Sequence, residues 1–399
     1  MNRWIFPHTE SGKEGDFMKI VFNKQKMANA VAPLMCCVSG KSTLTAVEGI
    51  LIEAKAPDTC ILTTFDLEKG MRIITNVEVI EEGSYIINAQ KFSQTLKVMD
   101  SDMLTLTVND KCHAIIEYGK SVHQMNALQG TDFPTVPVLE APNAFTIGQG
   151  VLKEMLQKVS FAMGINDQRN VLNGCYCEIE DERIMTVACD SFRLAKCEKT
   201  IKIENSGNNA NKNMNFSFII PNKTVNELIR MLSDDEEKPI KVFVTYKNLI
   251  FNFGETVFFS RVVDGYYIDY ERVLVKNHKI KVNVERAVML SALERACLIT
   301  EERIAGAVKA NVKLQIEGEL LKILANSSAG STYDEIEVEH EGEDLLIAFN
   351  NRYLIDCLKA CGGDDIAISL SSALTSINIV PAEKEENMTE EYMLLPVRM

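Results

Sequence analysis

No stretch of the 399-residue chain approaches the roughly 18–20 consecutive apolar residues that cross a bilayer, which excludes a spanning helix. The opening residues, MNRWIFPHTESGKEGDF, contain no uninterrupted apolar run of the kind a signal peptide needs. An excess of positive charge is missing too. Lys and Arg number 42 against 56 Asp and Glu, a net charge of −14. That excludes a protein gripping nucleic acid by blanket phosphate neutralisation; contact with DNA would need local basic spots or topology. Histidine is scarce: His8, His113, His123, His278 and His340 form no close pair, so a metal site or His-based triad has no support. The single tryptophan, Trp4, lies in residues 1–17, expected to be a flexible N-terminal extension before Met18 opens the strand-like run MKIVF. The 11 cysteines, an odd number scattered from Cys36 to Cys361, lack the even spacing of a disulfide scaffold and read as reduced thiols of a cytoplasmic protein. Cys175 and Cys177, two apart in a strand pattern, are expected to face opposite sides. Cys357 and Cys361, four apart on a helix, share a face and read as packing rather than zinc ligands.

What is present is globular: 46% hydrophobic and 25% charged residues, in a length that suits two to four domains. A strand followed by an amphipathic helix recurs. Met18–Phe22 leads into NKQKMANAVAPLMCCV, Phe145–Ile147 into GQGVLKEMLQKVSFAM, and Ile280–Val284 into ERAVMLSALERACLIT. These copies begin at residues 18, 145 and 280, so 127 and 135 residues apart. Val151, Leu152, Met155, Leu156 and Val159 form the apolar stripe of the middle helix. Pro33 should kink the first helix or end its regular part. A second marker repeats in step. Ile86–Met99, Ile219–Leu232 and Ile347–Ala360 each read as a strand end, an Asn or Pro-Asn at the helix start, and a helix, at offsets of 133 and 128. Both markers give a period near 130.

Between the helices the sequence is β-like. TVNDKCHAIIEYG, FVTYKNLIFNFGE and ISLSSALTSINIV are pairs of alternating runs joined by short polar turns. The expected fold is α+β: three similar domains of antiparallel sheets, each with two helices and about eight strands. They follow the extension at 1–17 and occupy 18–136, 144–264 and 279–399. Residues 131–143 and 265–279 read as linkers.

Four features bear on function. SGKST at 39–43 resembles the end of a phosphate-binding loop, but Met35 stands where the first Gly is required, and the preceding segment is helix-like. A solvated turn is the simpler reading. CDSFRLA at 189–195 offers Cys189 and Ser191 as nucleophiles, yet no base is identifiable and the middle third lacks His. The C-terminal YMLLPVRM is apolar to its end, which suits an internal edge strand or an apolar groove. Lys24, Lys26, Lys153, Lys158, Arg286 and Arg295, on the first helix of each repeat, are consistent with one basic face repeated three times or with solvated faces.

Taken together, the tripled arrangement, QRNVLNG (168–174), TVACDSFRLA (186–195), VVDGYYIDYERVL (262–274) and the terminal YMLLPVRM resemble the bacterial DNA polymerase III beta subunit, the sliding clamp. The resemblance covers 18–399. It implies a head-to-tail homodimer closed into a ring of six like domains, helices lining the hole and sheets outside. Such a ring encircles duplex DNA without sequence preference and has no catalytic activity, cofactor or metal of its own. A ring held by topology needs little phosphate binding, which reconciles DNA with an acidic chain. A cytoplasmic, nucleoid-associated location at replication forks is implied as well.

The resemblance also implies an apolar groove for short linear motifs of the replicative polymerase, clamp loader and repair proteins. Matching positions are Leu172, Phe192, Arg193, Leu194, Arg272, Val273, Leu374, Ser376, Met393, Leu395, Pro396, Val397 and Arg398. Tyr267-Ile268 replaces the Phe-Pro usual in the family, and Phe192 the usual His or Tyr; both alter groove polarity. The implied ring interface pairs His123 and Met125 with Leu298 and Ile299. Lys41, Lys91, Arg169, Lys223 and Arg352 are the implied DNA-proximal cations. Two alternatives stand beside the clamp: a phosphate-binding enzyme using SGKST, and a three-repeat scaffold that does not touch DNA.

Overall fold

The computed structural model describes residues 17–40, 42–136, 141–207, 213–300, 311–327 and 330–398, with two short strands at Arg303–Ile304 and Ala307–Val308. The expected extension at 1–17 lies outside the described residues except Phe17, and so does Lys41 of the SGKST loop. The chain divides into two compact units. One comprises the residues up to 140 with Asn248–Arg261; the other comprises 141–247 with the residues from 262 onward.

In the first unit, strand Met18–Asn23 runs into helix α1 (Lys24–Leu34), and strand Gly83–Asn88 into α2 (Ala89–Val98). The last residue of each strand caps the helix that begins there. The Asn23 side chain accepts from the Lys26 amide at 3.0 Å and that of Asn88 from the Lys91 amide at 3.0 Å. Each satisfies an amide that the helix leaves without a partner. Pro33 sits one residue before α1 ends, where its missing N–H and its ring stop regular helix. The strands pair antiparallel. Met27, Val31 and Leu34 of α1 and Phe92 and Leu96 of α2 are buried.

The second unit repeats the plan twice. Strand Asn143–Gly148 leads into α3 (Gln149–Ser160) and Asn215–Pro221 into α4 (Asn222–Met231). Ile280–Glu285 leads into α5 (Arg286–Thr300) and Leu345–Asn350 into α6 (Asn351–Ala360). All five apolar stripe residues of α3 are buried. Gly150 is required there, because a Cβ would lie 2.4 Å from the Asp234 carbonyl oxygen.

A nine-stranded antiparallel sheet runs from Asn215–Pro221 through Gly174–Glu180, Arg183–Cys189 and Arg193–Thr200 to Met388–Leu394, then on to Ile377–Pro381, Asp365–Leu370, Ile280–Glu285 and Glu339–Glu341. Its central seam is made by the last strand of the chain. Met388–Leu394 pairs along its whole length with Arg193–Thr200 on one side, and at Tyr392–Leu394 with Ile377–Ile379 on the other. The apolar C-terminal run is therefore an internal strand and not an edge.

One further expectation needs correction. Cys175 and Cys177 point to the same side, buried with Ile179, because side chains two apart in a strand share a face. Most of the basic residues on the first helices have partners within their own unit. Lys24 Nζ donates to the Met99 carbonyl at 2.9 Å, and Arg286 Nε to that of Gly363 at 2.7 Å. Lys153 pairs with Asp234, Lys158 with Glu390 and Arg295 with Asp334. The SGKST loop comes after a short 3-10 helix rather than a strand, and the Glu48 carboxylate accepts from the Ser42 amide at 3.0 Å, occupying a donor that a phosphate would need. All 11 cysteines are free thiols; burial pushes Cys60 and Cys361 up to about 12. Among the described residues no helix is long and apolar enough to cross a membrane, and no group of three His, Cys, Asp or Glu could hold a metal ion.

Candidate functional site

The seam gathers an apolar cluster from four distant stretches of chain. Leu172, Met185, Val187, Cys189, Leu194, Leu274 and Met393 are buried together, with Val171, Tyr176, Tyr267, Ile268 and Tyr270 half-covering them. Sheet register explains the meeting: Leu194 lies opposite Met393, and Arg193 opposite Leu394. Beyond the last strand the tail continues along the same line. The Leu395 amide donates to the Phe192 carbonyl at 2.8 Å and the Val397 amide to that of Ala348 at 2.9 Å. The 371–376 loop enters from the other side, since Ile377 pairs with Leu394 and Ser376 is thereby brought level with Leu395. Above this floor, large apolar side chains stand in solvent: Phe192 is 57% exposed, Leu374 79%, Leu395 39% and Val273 38%. Exposed apolar residues of this size are clustered here on a buried apolar floor.

The turn carrying Phe192 is held rigidly. Asp190 Oδ1 accepts from the amides of Phe192 at 3.1 Å and Arg193 at 3.0 Å. Ser191 takes the left-handed conformation, φ 80°, that costs a non-glycine residue energy. Its hydroxyl is contacted by the Arg169 guanidinium and donates to Asp167 at 3.4 Å. Asp167 is held below the usual carboxylate range by the amide and guanidinium of Arg169.

Arg193 itself is 9% exposed. It pairs with Asp190 at 2.9 Å and with Asp356 of α6 at 2.7 Å, and its guanidinium lies 4.1 Å from the Tyr353 ring centroid. Burial works against its charge, but the two carboxylates outweigh burial and hold it above its ordinary value. Rather than presenting a donor to a ligand, Arg193 fastens α6 to the seam and sets Tyr353 beside Phe192, with ring centroids 6.3 Å apart. A second tie lies deeper. Glu390, 6% exposed, pairs with Lys158 of α3 at 2.7 Å and accepts from the Gly362 amide and the Tyr392 hydroxyl.

Each unit also presents a strand with an open side. In the first, 121–126 of strand Ser121–Gln129 pair with one neighbour, His113–Tyr118, among the described residues; only 127–129 reach a second. A cleft of about 460 Å³ separates this edge from α2, lined by Lys91, Thr95, Val98, His123 and Met125. Val98 is 74% and Val122 62% exposed. In the second, Gly330–Glu337 ends a four-stranded sheet among the described residues, and on α5 beside it Leu298 is 83% exposed while Ile299 is half-buried.

Family models for the DNA polymerase III beta subunit match along the chain: its N-terminal domain at 18–137, central domain at 146–269 and C-terminal domain at 271–398. The chain is 30% identical over 353 residues to the beta sliding clamp of Halalkalibacterium halodurans, covering 88% of this chain and 89% of that one. The chain belongs to the DNA polymerase III beta-subunit family. The beta sliding clamp of Escherichia coli K12 is 28% identical over 386 residues, 96% of this chain and all of that one. The crystal structure of the Bacillus subtilis sliding clamp superimposes with a TM-score of 0.87 at 26% identity, covering 96% of this chain and 99% of that one. The function is that of a DNA sliding clamp, and the family is the non-catalytic processivity subunit of DNA polymerase III. DNA and the polymerase are its partners, and a homodimeric ring is the family's assembly.

Of the residues that the family resemblance nominated, Leu172, Leu194 and Met393 lie in the buried floor. Phe192, Leu374 and Leu395 stand exposed above it, and Pro396 and Val397 are half-buried in the tail. Ser376 is buried at the loop end, Arg398 is exposed, and Arg272 points to solvent in an ion pair with Asp269. Arg169 lies at the Ser191 turn of the seam. Sequence reasoning places Tyr267 at the groove but does not nominate Tyr353, Val171, Tyr270 or Leu274 for the floor and its rim. Tyr270 and Leu274 belong to VVDGYYIDYERVL and could have been found there, whereas nothing in α6 singles out Tyr353 until Arg193 is seen to stack on it.

Proposed function

We propose that the chain works as a head-to-tail ring of two copies threaded by duplex DNA, and that the seam takes short linear peptides of the replicative polymerase, the clamp loader and repair proteins. One observation carries the peptide reading: a buried floor of Leu172, Leu194 and Met393, with exposed Phe192, Leu374 and Leu395 around it. A Leu or Phe anchor from a partner would complete that cluster. Arg169 acts at its rim. The clamp domains span 18–136, 144–264 and 279–399, and the ring operates at replication forks in the nucleoid.

The open strand of 121–126, with His123 and Met125, is the natural mate of the open strand Gly330–Glu337 flanked by Leu298 and Ile299 on a second copy. Two different edges on one chain make a heterologous contact, which must close to be finite. Lys91, Lys223 and Arg352 face the DNA. Each is exposed in the first turn of its helix, where the macrodipole disfavours a cation. Placing a cation there three times is offset when an anion stands in front.

The test titrates a fluorescent polymerase-derived peptide against the intact chain and against a deletion of the last five residues, LPVRM. The deletion should weaken binding by more than about tenfold, the usual cost of removing a packed anchor. Unchanged affinity in a folded, dimeric deletion variant would place the groove elsewhere.

A further inference from the structure

Within the second unit, the segment from Val262 to Tyr270 helps to line a pocket of about 350 Å³. Its lining is chemically one-sided. Five tyrosines, Tyr176, Tyr246, Tyr266, Tyr267 and Tyr270, meet there with one carboxylate, Asp264, and no Lys, Arg or His lines it. Two of the rings are held ready: Tyr176 and Tyr267 stack with centroids 5.2 Å apart. Two more at the rim are left in water, Tyr246 at 80% and Tyr266 at 100% exposure, an expensive way to leave an aromatic ring unless something covers it. The surface already holds one cation of its own in this manner. Lys196 Nζ sits 5.6 Å from the Tyr270 centroid while pairing with Glu271.

Aromatic faces carry negative electrostatic potential, and a pocket lined by aromatic rings and one carboxylate, with neighbouring Lys196 paired to Glu271, is complementary to a positive guest. The pocket also adjoins the peptide seam, because Tyr176, Tyr267 and Tyr270 pack against the seam cluster. We propose that this pocket is a cation subsite that takes an arginine or lysine side chain flanking the apolar anchor of a partner peptide. The inference rests on the peptide reading of the seam. It adds a specificity: among peptides with equal anchors, the chain prefers those with a flanking positive charge. Neither Tyr246, Tyr266 nor Asp264 belongs to the seam cluster, so all three can be changed without touching the anchor site.

The probes are fluorescent peptides with a Leu-Phe anchor and an Arg joined through a Gly-Ser spacer on either side, each matched to a peptide with neutral, isosteric citrulline in place of Arg. On the intact chain one Arg peptide should bind about three- to tenfold more tightly than its citrulline match, the range expected for a cation over aromatic faces. On a Tyr246→Ala/Tyr266→Ala/Asp264→Asn variant that preference should vanish while the citrulline affinity stays unchanged. Equal affinities on the intact chain, or a preference that survives in the variant, would overturn the proposal. Failure of all four peptides to bind would instead count against the peptide reading of the seam. The cation site would then be judged by crystals soaked in tetramethylammonium chloride, where an empty pocket would overturn it and an ion among the tyrosines would support it.

Discussion

Leu194 and Met393 lie opposite each other, 0% and 3% exposed, although 199 residues of chain separate them; Val98 and Val122, on neighbouring elements of the first unit, are 74% and 62% exposed. The seam is assembled from afar and braced by buried charge, with Arg193 between two carboxylates and Lys158 on Glu390. The open edge at 121–126 is built locally, from a hairpin and one helix. A braced apolar surface offers fixed side chains to a small ligand at little ordering cost. An open strand beside exposed valines offers backbone groups, and edges of that kind are normally blunted unless another strand covers them. The two surfaces should therefore fail differently.

The largest effect is expected at the edge. Leu298→Asp with Ile299→Asp should convert dimers to monomers at low micromolar concentration, read by sedimentation or light scattering. Because Leu298 is 83% exposed and Ile299 half-buried, the monomer should stay folded with a modestly lowered thermal transition. A dimer that survives the double change would move the interface.

At the seam the order reverses, with stability falling and assembly remaining. Lys158→Ala leaves the carboxylate of Glu390 buried without its counter-ion, which typically costs about 3 kcal/mol or more. Denaturant unfolding should show that destabilisation in the second unit while the dimer persists. Arg193→Ala removes two ion pairs and the stack on Tyr353, so it should reduce both stability and peptide affinity, the latter by about tenfold. Combined with deletion of LPVRM it should give less than the summed effect, since both changes damage one pocket. Full additivity would mean that Arg193 does not position the groove.

The smallest effect belongs to the exposed cations. Changing Lys91, Lys223 and Arg352 together to Glu should leave folding and peptide binding intact. It should weaken binding to short duplexes and flatten its salt dependence, by about one unit of slope for each phosphate no longer neutralised. No change in slope would remove these residues from the DNA face.

The repeats were legible in the sequence because each is announced locally. A strand ending in Asn or Pro-Asn and an amphipathic helix recur near every 130 residues, and Asn23, Asn88 and Asn350 do cap their helices. The seam was legible only through resemblance, since no local pattern links Leu194 to Met393. What stayed hidden was charge pairing across long stretches of chain. Lys153 and Lys158 read as one helix's basic face until Asp234 and Glu390 are seen opposite them. Arg193 entered only as a groove position, and nothing near it in the sequence points to Asp356, 163 residues away. Periodicity reports which face of an element is apolar; it carries no information about which distant carboxylate a lysine will meet.

The central claim is that two copies close through these edges around DNA. It is tested most directly by loading the chain onto nicked circular DNA with a clamp loader and ATP, raising the salt, and then cutting the circle once. The account predicts retention on the circle through the salt wash and release on linearisation. Release by salt from the intact circle, or tight salt-sensitive binding to short duplexes without loading, would contradict it.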